Sequence, residues 1–253
     1  MRRVLVVGIG SGGADQVTVE AVRALNEVDA FLVADKGEAS ADLRRLREEV
    51  CRRHVRDGYR IVDVPDPERD RGEHDTTSYG AAVVDWHEAR AVAYERALLE
   101  ETGEDGTAGF LVWGDPAFYD STLRILERVL ERGNVAFDHE VLPGISSISV
   151  LAARHRVVLH RVGEPVLVTT GRRLAADVAA GHDNLVVMLD GRLACADLDG
   201  EWDLWWGANL GTDDEALVAG RLSDVVEEVR ATRARVREAR GWVMDTYLLR
   251  RAT

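Results

Sequence analysis

Lysine is almost missing from this sequence: of its 32 basic residues, all but Lys36 are arginine. Positive charge is also in deficit, because acidic residues outnumber basic ones and the formal net charge is −13. A charge of this sign argues against nucleic acid as a partner, since phosphate backbones are bound by basic surfaces. No apolar run approaches the length of about 18 residues that a membrane span needs. We therefore expect neither nucleic acid nor a membrane as a partner.

Cysteine is equally sparse. The two cysteines, Cys51 and Cys195, stand far apart, and the seven histidines show no spacing typical of metal ligands. Such usage is typical of a protein from a reducing compartment without structural zinc. The sequence therefore predicts a cytoplasmic protein without a metal.

Strand and helix patterns alternate through the first half of the chain. This order predicts a mainly parallel sheet with helices on both faces. The predicted strands are residues 2–9, 30–35, 59–64, 108–114 and 135–142, and the predicted helices are 18–26, 41–53, 79–101 and 121–132.

The second half has five predicted strands with few helices between them, a pattern that favours a mixed sheet with antiparallel pairs. These strands are residues 165–171, 184–190, 203–211, 215–222 and 241–250, with helices at 172–180 and 223–240. The chain is thus expected to be an α/β protein of two domains, residues 1–145 and 146–253.

A glycine pattern, Gly8-x-Gly10-x-x-Gly13, follows the first predicted strand. In a dinucleotide-binding fold such glycines open the helix directly, so that the pyrophosphate meets free N–H groups. Here the helix is expected to begin only at Thr18, which can cap it. A ribose-binding acid should lie at the end of the second strand, about 20 residues after the glycines. Asp29 lies before that strand, and Asp35 lies at its end but farther from the glycines than expected. A nicotinamide-dependent oxidoreductase therefore remains an alternative on a weak motif.

Two further segments are typical of ligand-binding turns. Gly114-Asp115-Pro116 ends a buried strand, which is where open α/β sheets bind ligands. The segment 143–147, PGISS, turns into a helix that Ser146 or Ser147 can cap, leaving N–H groups for a ligand carboxylate.

In this order these segments resemble the tetrapyrrole methylase family, which uses S-adenosyl-L-methionine as methyl donor. The family loop GxGPGxxxxLT matches residues 8–18, with Ser11 in place of the proline and Gly13 in place of the usual acid. The segments GDP, PGISS and VVML (186–189) also match. The resemblance spans essentially the whole chain. It implies two α/β domains with the cofactor in the cleft between them, a tetrapyrrole substrate and a homodimer.

Five more segments resemble one branch of this family in cobalamin biosynthesis: residues 34–38, 79–91, 169–174, 205–215 and 241–250. That branch methylates C1 of precorrin-5 and expels an acetyl group as acetate. Asp213 departs from the proline that is more common there. The alternatives are methylation at another ring position and, less favoured because of the acidic charge, a ribosomal-RNA or diphthamide methyltransferase of the same fold.

The resemblance implies a set of site residues. Those expected to hold the cofactor are Gly114, Asp115, Phe118, Ser146, Ser147, Met188 and Leu210. The loop residues Gly10, Ser11 and Gly12 are expected beside the tetrapyrrole.

Loss of the acetyl group needs a base for water and a donor or cation for the acyl oxygen. We hypothesise that Asp35 assists water and that Lys36 or an arginine polarises the acetyl carbonyl; an exposed Asp–Lys turn is the alternative. Because the substrate is rich in carboxylates and the protein is acidic, arginines must line the site locally. Arg172 and Arg173 are the best placed and Arg192 is next, although an arginine taken singly is more often a surface residue than a ligand. Residues 204–206, LWW, could serve a dimer interface or the core.

Overall fold

The computed structural model describes residues 1–35, 41–56, 58–67 and 76–252, and the chain divides into two compact units. The first unit comprises Met1–Gly10 and Ala14–Ile145, and the second comprises Ser11–Gly13 and Ser146–Thr253. Ser11–Gly13, expected in the N-terminal domain, thus groups with the second unit.

Among the described residues of the first unit, five strands alternate with four α-helices, as the sequence pattern predicts. In chain order they are β1 (Arg2–Gly8), α1 (Val19–Leu25), β2 (Ala30–Asp35), α2 (Ala41–His54), β3 (Arg60–Pro65), α3 (Thr76–Glu101), β4 (Thr107–Val112), α4 (Thr122–Arg132) and β5 (Phe137–Leu142).

The five strands form a parallel sheet in the order β3-β2-β4-β1-β5. Alternate residues of β1 enter opposite cores: Val4 and Val6 pack with residues of α3 and α4, whereas Leu5 and Val7 pack with residues of α1 and α2. Burial on both faces explains the continuous apolar runs of these strands. The predicted parallel sheet is confirmed.

The chain leaves the carboxyl ends of β2 and β4 in opposite directions. The strand that follows β2 is its outer neighbour β3, whereas the strand that follows β4 is β5, at the other edge of the sheet. Such a reversal opens a crevice at the carboxyl ends of the two strands, and ligands of open α/β sheets bind there. Direct pairing of β2 with β4 is limited to Ala30 with Ala108 and Phe31 with Gly109.

In the second unit, five strands are accompanied by three helices. In chain order the elements are α5 (Ser147–His155), β6 (Leu167–Thr170), α6 (Gly171–Ala179), β7 (Asn184–Met188), β8 (Trp202–Ala208), β9 (Ala216–Arg221), α7 (Leu222–Arg240) and β10 (Asp245–Arg251). The strand order is β6-β7-β10-β8-β9, with one parallel pair, β6 with β7, and antiparallel pairs elsewhere. The predicted mixed sheet is confirmed.

Of the apolar stretch 204–206, Leu204 and Trp206 are fully buried in the core of the second unit, and Trp205 packs at its margin. Core packing therefore accounts for this stretch. Among the described residues, no helix is both long enough and apolar enough to cross a membrane.

Three glycines allow the ends of β1 and β4 and the turn after β5 to meet at van der Waals distance. A Cβ added at Gly8 would lie 2.5 Å from the backbone nitrogen of Gly144. A Cβ added at Gly144 would overlap the carbonyl oxygen of Gly114 and the backbone of Gly8. This glycine contact, formed by Gly8, Gly114 and Gly144, therefore requires that positions 8 and 144 carry no side chain.

We expect Gly144→Ala to lower the free energy of unfolding by about 3 kcal/mol, because the new methyl group meets backbone that cannot rotate away. Gly103→Ala is the matched control, since a Cβ there meets nothing within 4 Å. Urea unfolding of both variants measures the difference. Equal stabilities would contradict the close approach.

Candidate functional site

The glycine loop after β1 is bound to the segment after β4. Gly10 and Gly114 form an isolated antiparallel bridge, in which N···O distances are 3.3 Å from Gly10 N and 2.8 Å from Gly114 N. Both have positive φ, +80° and +71°, which residues with a Cβ rarely adopt. β4 ends at Val112, two residues before the predicted end at residue 114.

The helix after this loop does not begin at the glycines. A short 3₁₀ helix at Ala14–Gln16 precedes α1, whose first residue is Val19. Thr18 caps α1 through a hydrogen bond that its hydroxyl accepts from Ala21 N, as predicted. The glycines thus lack the position that a dinucleotide-binding fold requires. Asp29, the tempting ribose-binding acid, accepts a hydrogen bond from Thr107 N.

Asp115 holds the turn after β5 against the segment after β4. Its Oδ2 accepts a hydrogen bond from Gly144 N at 2.9 Å, and its Oδ1 accepts one from Ala117 N at 2.8 Å. Both carboxylate oxygens are thereby used to shape the rim of the first unit.

Exposed apolar side chains follow β4 and flank the turn after β5. Phe118 is 37% exposed and Tyr119, which has a positive φ of 54°, is 46% exposed. Val141 and Ile145 are also exposed. A rim with apolar surface beside fixed backbone groups is typical of small-molecule sites.

Of the two residues hypothesised to act in deacetylation, the structure describes only Asp35. Asp35 ends β2, as predicted, and its side chain is exposed at the carboxyl edge of the first sheet. Lys36 lies outside the described residues.

In the second unit, the predicted loop and cofactor residues are brought together. The Ser11 hydroxyl donates to the carbonyl oxygen of Leu210 at 3.2 Å. A Cβ added at Gly12 would lie 2.5 Å from Thr212 Cγ2 and 2.8 Å from the Leu210 carbonyl oxygen. Ser11 and Leu210 are both buried.

Ser146 caps α5, since its hydroxyl accepts a hydrogen bond from Ser149 N. This confirms one of the two predicted caps. Ser147 is the first residue of α5 and is half-buried.

Met188 ends β7, and the register pairs it with Thr170, the last residue of β6. α6 begins directly after Thr170, so Arg172 and Arg173 lie at the same edge of the sheet as Met188. Both arginines are exposed. Arg173 donates to Asp177, its neighbour one turn on, at 3.1 Å.

Asp190 stabilises the loop after β7. It is 4% exposed and accepts hydrogen bonds from Arg192 N, Ala194 N and, at 2.5 Å, the Tyr247 hydroxyl. Burial raises the pKa of Tyr247, so the phenol stays protonated and donates. The loop also has two leucines with positive φ, of which Leu189 is 64% exposed.

Sequence reasoning missed Tyr119, Leu189 and Asn209, which share a left-handed backbone at positions next to predicted site residues. Backbone strain of this kind is concentrated at functional sites. Asparagine adopts this backbone more often than other residues with a side chain, but no residue type or spacing signals it for Tyr119 and Leu189. This backbone conformation becomes visible only in the folded chain.

Thiol and metal chemistry have no support in the described residues. Burial raises the pKa of Cys51 and of Cys195 to about 12, so neither is a thiolate near neutral pH. Within the described ranges, no group of three or more potential metal ligands occurs. The absence of a metal stays a prediction.

Comparison with known proteins identifies what the chain resembles. The family model described as Tetrapyrrole (Corrin/Porphyrin) Methylases matches residues 3–226. A curated protein named Precorrin-6A synthase [deacetylating], from Sinorhizobium sp, is 46% identical over 253 residues, covering 99% of this chain and 96% of that protein.

Two solved structures share the fold of this chain. A protein related to cobalamin synthesis (CobF) from Corynebacterium diphtheriae superposes with a TM-score of 0.86 at 36% identity, covering 100% of both chains. Uroporphyrin-III C-methyl transferase from Thermus thermophilus, solved in complex with S-adenosylhomocysteine, superposes with a TM-score of 0.57 at 20% identity over 98% of this chain and 96% of that one. At that identity the second likeness shows the fold alone.

The contribution of the Asp177 carboxylate to the free energy of unfolding is expected to depend on pH. The Thr169 hydroxyl, and then Arg173, hold the pKa of Asp177 below its ordinary value. A pKa that is lower in the folded state gives stability at neutral pH that is lost as the pH falls through the folded-state value. We expect Asp177→Asn to lower the free energy of unfolding by about 1 kcal/mol at neutral pH, with the difference vanishing in acid. Urea unfolding across a pH series measures it.

Glu227→Gln is the control, because its partner Arg230 and Glu227 itself are exposed on α7 and such pairs stabilise little. A difference for Asp177→Asn that is independent of pH would contradict the assignment.

Proposed function

Because the chain belongs to the tetrapyrrole (corrin/porphyrin) methylase family, we propose that it is an S-adenosylmethionine-dependent C-methyltransferase of cobalamin biosynthesis. Its proposed reaction is methylation of C1 of precorrin-5 with loss of the acetyl group as acetate, giving precorrin-6A. The supporting observation is the 46% identity over nearly the full length of both chains to the deacetylating precorrin-6A synthase.

The rim of the first unit fits the methyl donor in chemical character. S-adenosylmethionine, when bound, supplies an electrophilic methyl group on a cationic sulfonium. Exposed Phe118 and Tyr119 offer aromatic surface, which attracts cations and stacks on flat rings, and Asp115 fixes the backbone beside them. We assign Gly114, Asp115 and Phe118 to the cofactor on this basis.

In the second unit we assign Ser146, Ser147, Met188 and Leu210 to the same ligand, following the family motifs that these residues match. The cap on Ser146 leaves the first N–H groups of α5 without partners within the helix, and such groups bind carboxylates. Met188 is half-buried at the end of β7 and offers a polarisable apolar surface.

The tetrapyrrole is assigned to Gly10, Ser11 and Gly12, with Arg172 and Arg173 as partners for its carboxylates. Guanidinium groups pair with carboxylates in two parallel hydrogen bonds. Both arginines are exposed, as a ligand contact requires.

For deacetylation we assign Asp35 as the base that accepts a proton from water, and Lys36 or an arginine as the cation that polarises the acetyl carbonyl. The exposed carboxylate of Asp35 at the end of β2 supports this role, because that edge of the sheet is where ligands of this architecture bind. The proposal also includes a cytoplasmic homodimer. Two buried free thiols fit a reducing compartment.

The first experiment is incubation with precorrin-5 and methyl-labelled S-adenosylmethionine, with the label in the tetrapyrrole and free acetate measured together. We expect both signals in equal amounts. Label without acetate would indicate methylation at another ring position, and neither signal would contradict the proposed reaction.

Exchange of Asp35 for Asn tests the base. We expect acetate release to slow by about 100-fold or more, because a general base typically contributes that much, while methyl transfer continues. Glu20→Gln, which neutralises an exposed carboxylate of α1, should leave both signals unchanged. Acetate release at the wild-type rate in Asp35→Asn would remove Asp35 from the mechanism.

A further inference from the structure

Arg47, on α2, differs from its neighbours on that helix in its partners. Its Nε donates to the Leu111 carbonyl oxygen at 3.1 Å and its Nη1 donates to the Leu43 carbonyl oxygen at 3.2 Å. Arg44 and Arg52, by contrast, form ion pairs with carboxylates at 2.8 and 2.6 Å. In the part of the chain that the structure describes, Arg47 has only carbonyl partners.

The Leu111 carbonyl lies where the first sheet opens. The Val112 carbonyl accepts from Ile9 N, on the β1 side, so the alternation of strand carbonyls directs that of Leu111 towards β2. β2 pairs with β4 only at Ala30 and Phe31. The Arg47 guanidinium therefore occupies the crevice between the carboxyl ends of β2 and β4, where the chain direction reverses.

A second arginine of the first unit, Arg90, already has an anionic partner. Arg90, on α3, is 6% exposed; its Nε lies 2.7 Å from Asp66 Oδ1, and its guanidinium lies over the Trp86 ring at 4.6 Å. Its Nη2 also donates to the Tyr94 hydroxyl at 2.9 Å. Arg90 is thus a positioning residue that ties the end of β3 to α3.

Within the described residues, no carboxylate forms a hydrogen bond or an ion pair with Arg47. Burial lowers the pKa of Arg47; Tyr94 and Asp120 act in the opposite direction, and the like charge of Arg90 lowers it further, although an arginine stays charged at any physiological pH. A half-buried cation without an anion in contact has lost hydration that carbonyl oxygens only partly replace. An anionic ligand would supply the missing partner.

We propose that the Arg47 guanidinium binds a carboxylate of the tetrapyrrole substrate. The inference rests on the proposed function and extends it, because it assigns a substrate contact in the first unit to a residue outside the family motifs. Three features converge at this position: an arginine whose partners among the described residues are only carbonyl oxygens, a crevice at the reversal of the sheet, and a carboxylate-rich substrate for a protein with a net charge of −13.

The test measures binding of uroporphyrin, a tetrapyrrole with several carboxylate side chains, by quenching of tryptophan fluorescence. The proteins compared are the wild type, Arg47→Met, Arg47→Lys and Arg52→Met. Arg52→Met is the matched control, since it removes an arginine from the same helix whose charge is already paired and whose side chain is 73% exposed.

We expect Arg47→Met to raise the Kd about 10-fold to 100-fold, the range for loss of a charged hydrogen bond. Arg47→Lys keeps the charge but loses the planar fork, so its Kd should lie between those of the wild type and Arg47→Met. Arg52→Met should bind as the wild type does. Thermal melting of each variant establishes that it is folded, and Arg47→Lys decides the question if Arg47→Met is not.

Wild-type affinity in both Arg47 variants would overturn the proposal, and so would equal weakening by Arg52→Met or a wild-type protein that does not bind the porphyrin. Failure of the proposed function has a different signature. A wild type that binds uroporphyrin but neither methylates precorrin-5 nor releases acetate would contradict that reaction, while the Arg47 comparison would still be decided by the binding data.

Discussion

The close approach of Gly8, Gly114 and Gly144 is the constraint on which the candidate site of the first unit depends. The absence of a side chain at Gly8 and Gly144 allows the ends of β1 and β4 and the turn after β5 to come into contact. At the same place Asp115 accepts a hydrogen bond from Gly144 N, and Gly114 forms the bridge with Gly10. The apolar rim formed by Phe118, Tyr119 and the turn after β5 is arranged around this backbone. Glycine is therefore used here for close packing of chain segments, in addition to its left-handed dihedral angles.

Much of the fold could be predicted because its signals are local. Alternating apolar segments gave the strands and helices, and Thr18 and Ser146 were recognisable caps because a hydroxyl residue immediately precedes each helix. The contact between Ser11 and Leu210 could not be predicted, since 199 positions separate the two residues. The left-handed backbone of Leu189 could not be predicted either, because leucine rarely adopts it and no spacing marks it. The role of Arg47 could not be read from α2, where several arginines look alike and only the folded chain determines which of them meets a carboxylate.

Oppositely charged side chains of this molecule pair with near neighbours, so the net charge of −13 says little about the charges at the candidate site. Most arginines in the described residues pair with a nearby Asp or Glu, and exposed pairs of this kind contribute little stability. The informative arginines are those with unusual partners. Arg90 is buried with Asp66 and aromatic rings, and Arg47 has carbonyl oxygens. An acidic protein can therefore be matched to an acidic substrate without a basic surface, provided that a few guanidinium groups are kept out of the surrounding ion pairs.

The second unit is discontinuous in sequence, since it takes Ser11–Gly13 from a loop that lies 133 or more positions before the rest of it begins at Ser146. The Ser11 hydroxyl supplies the donor for the carbonyl of Leu210, and Gly12 leaves the space that Thr212 fills. A gene fragment that starts at Ser146 would encode a unit without this loop. Recombination that exchanges C-terminal halves between relatives must therefore preserve the fit of three residues that it does not transfer, which couples the evolution of the N-terminal loop to that of the segment around Leu210.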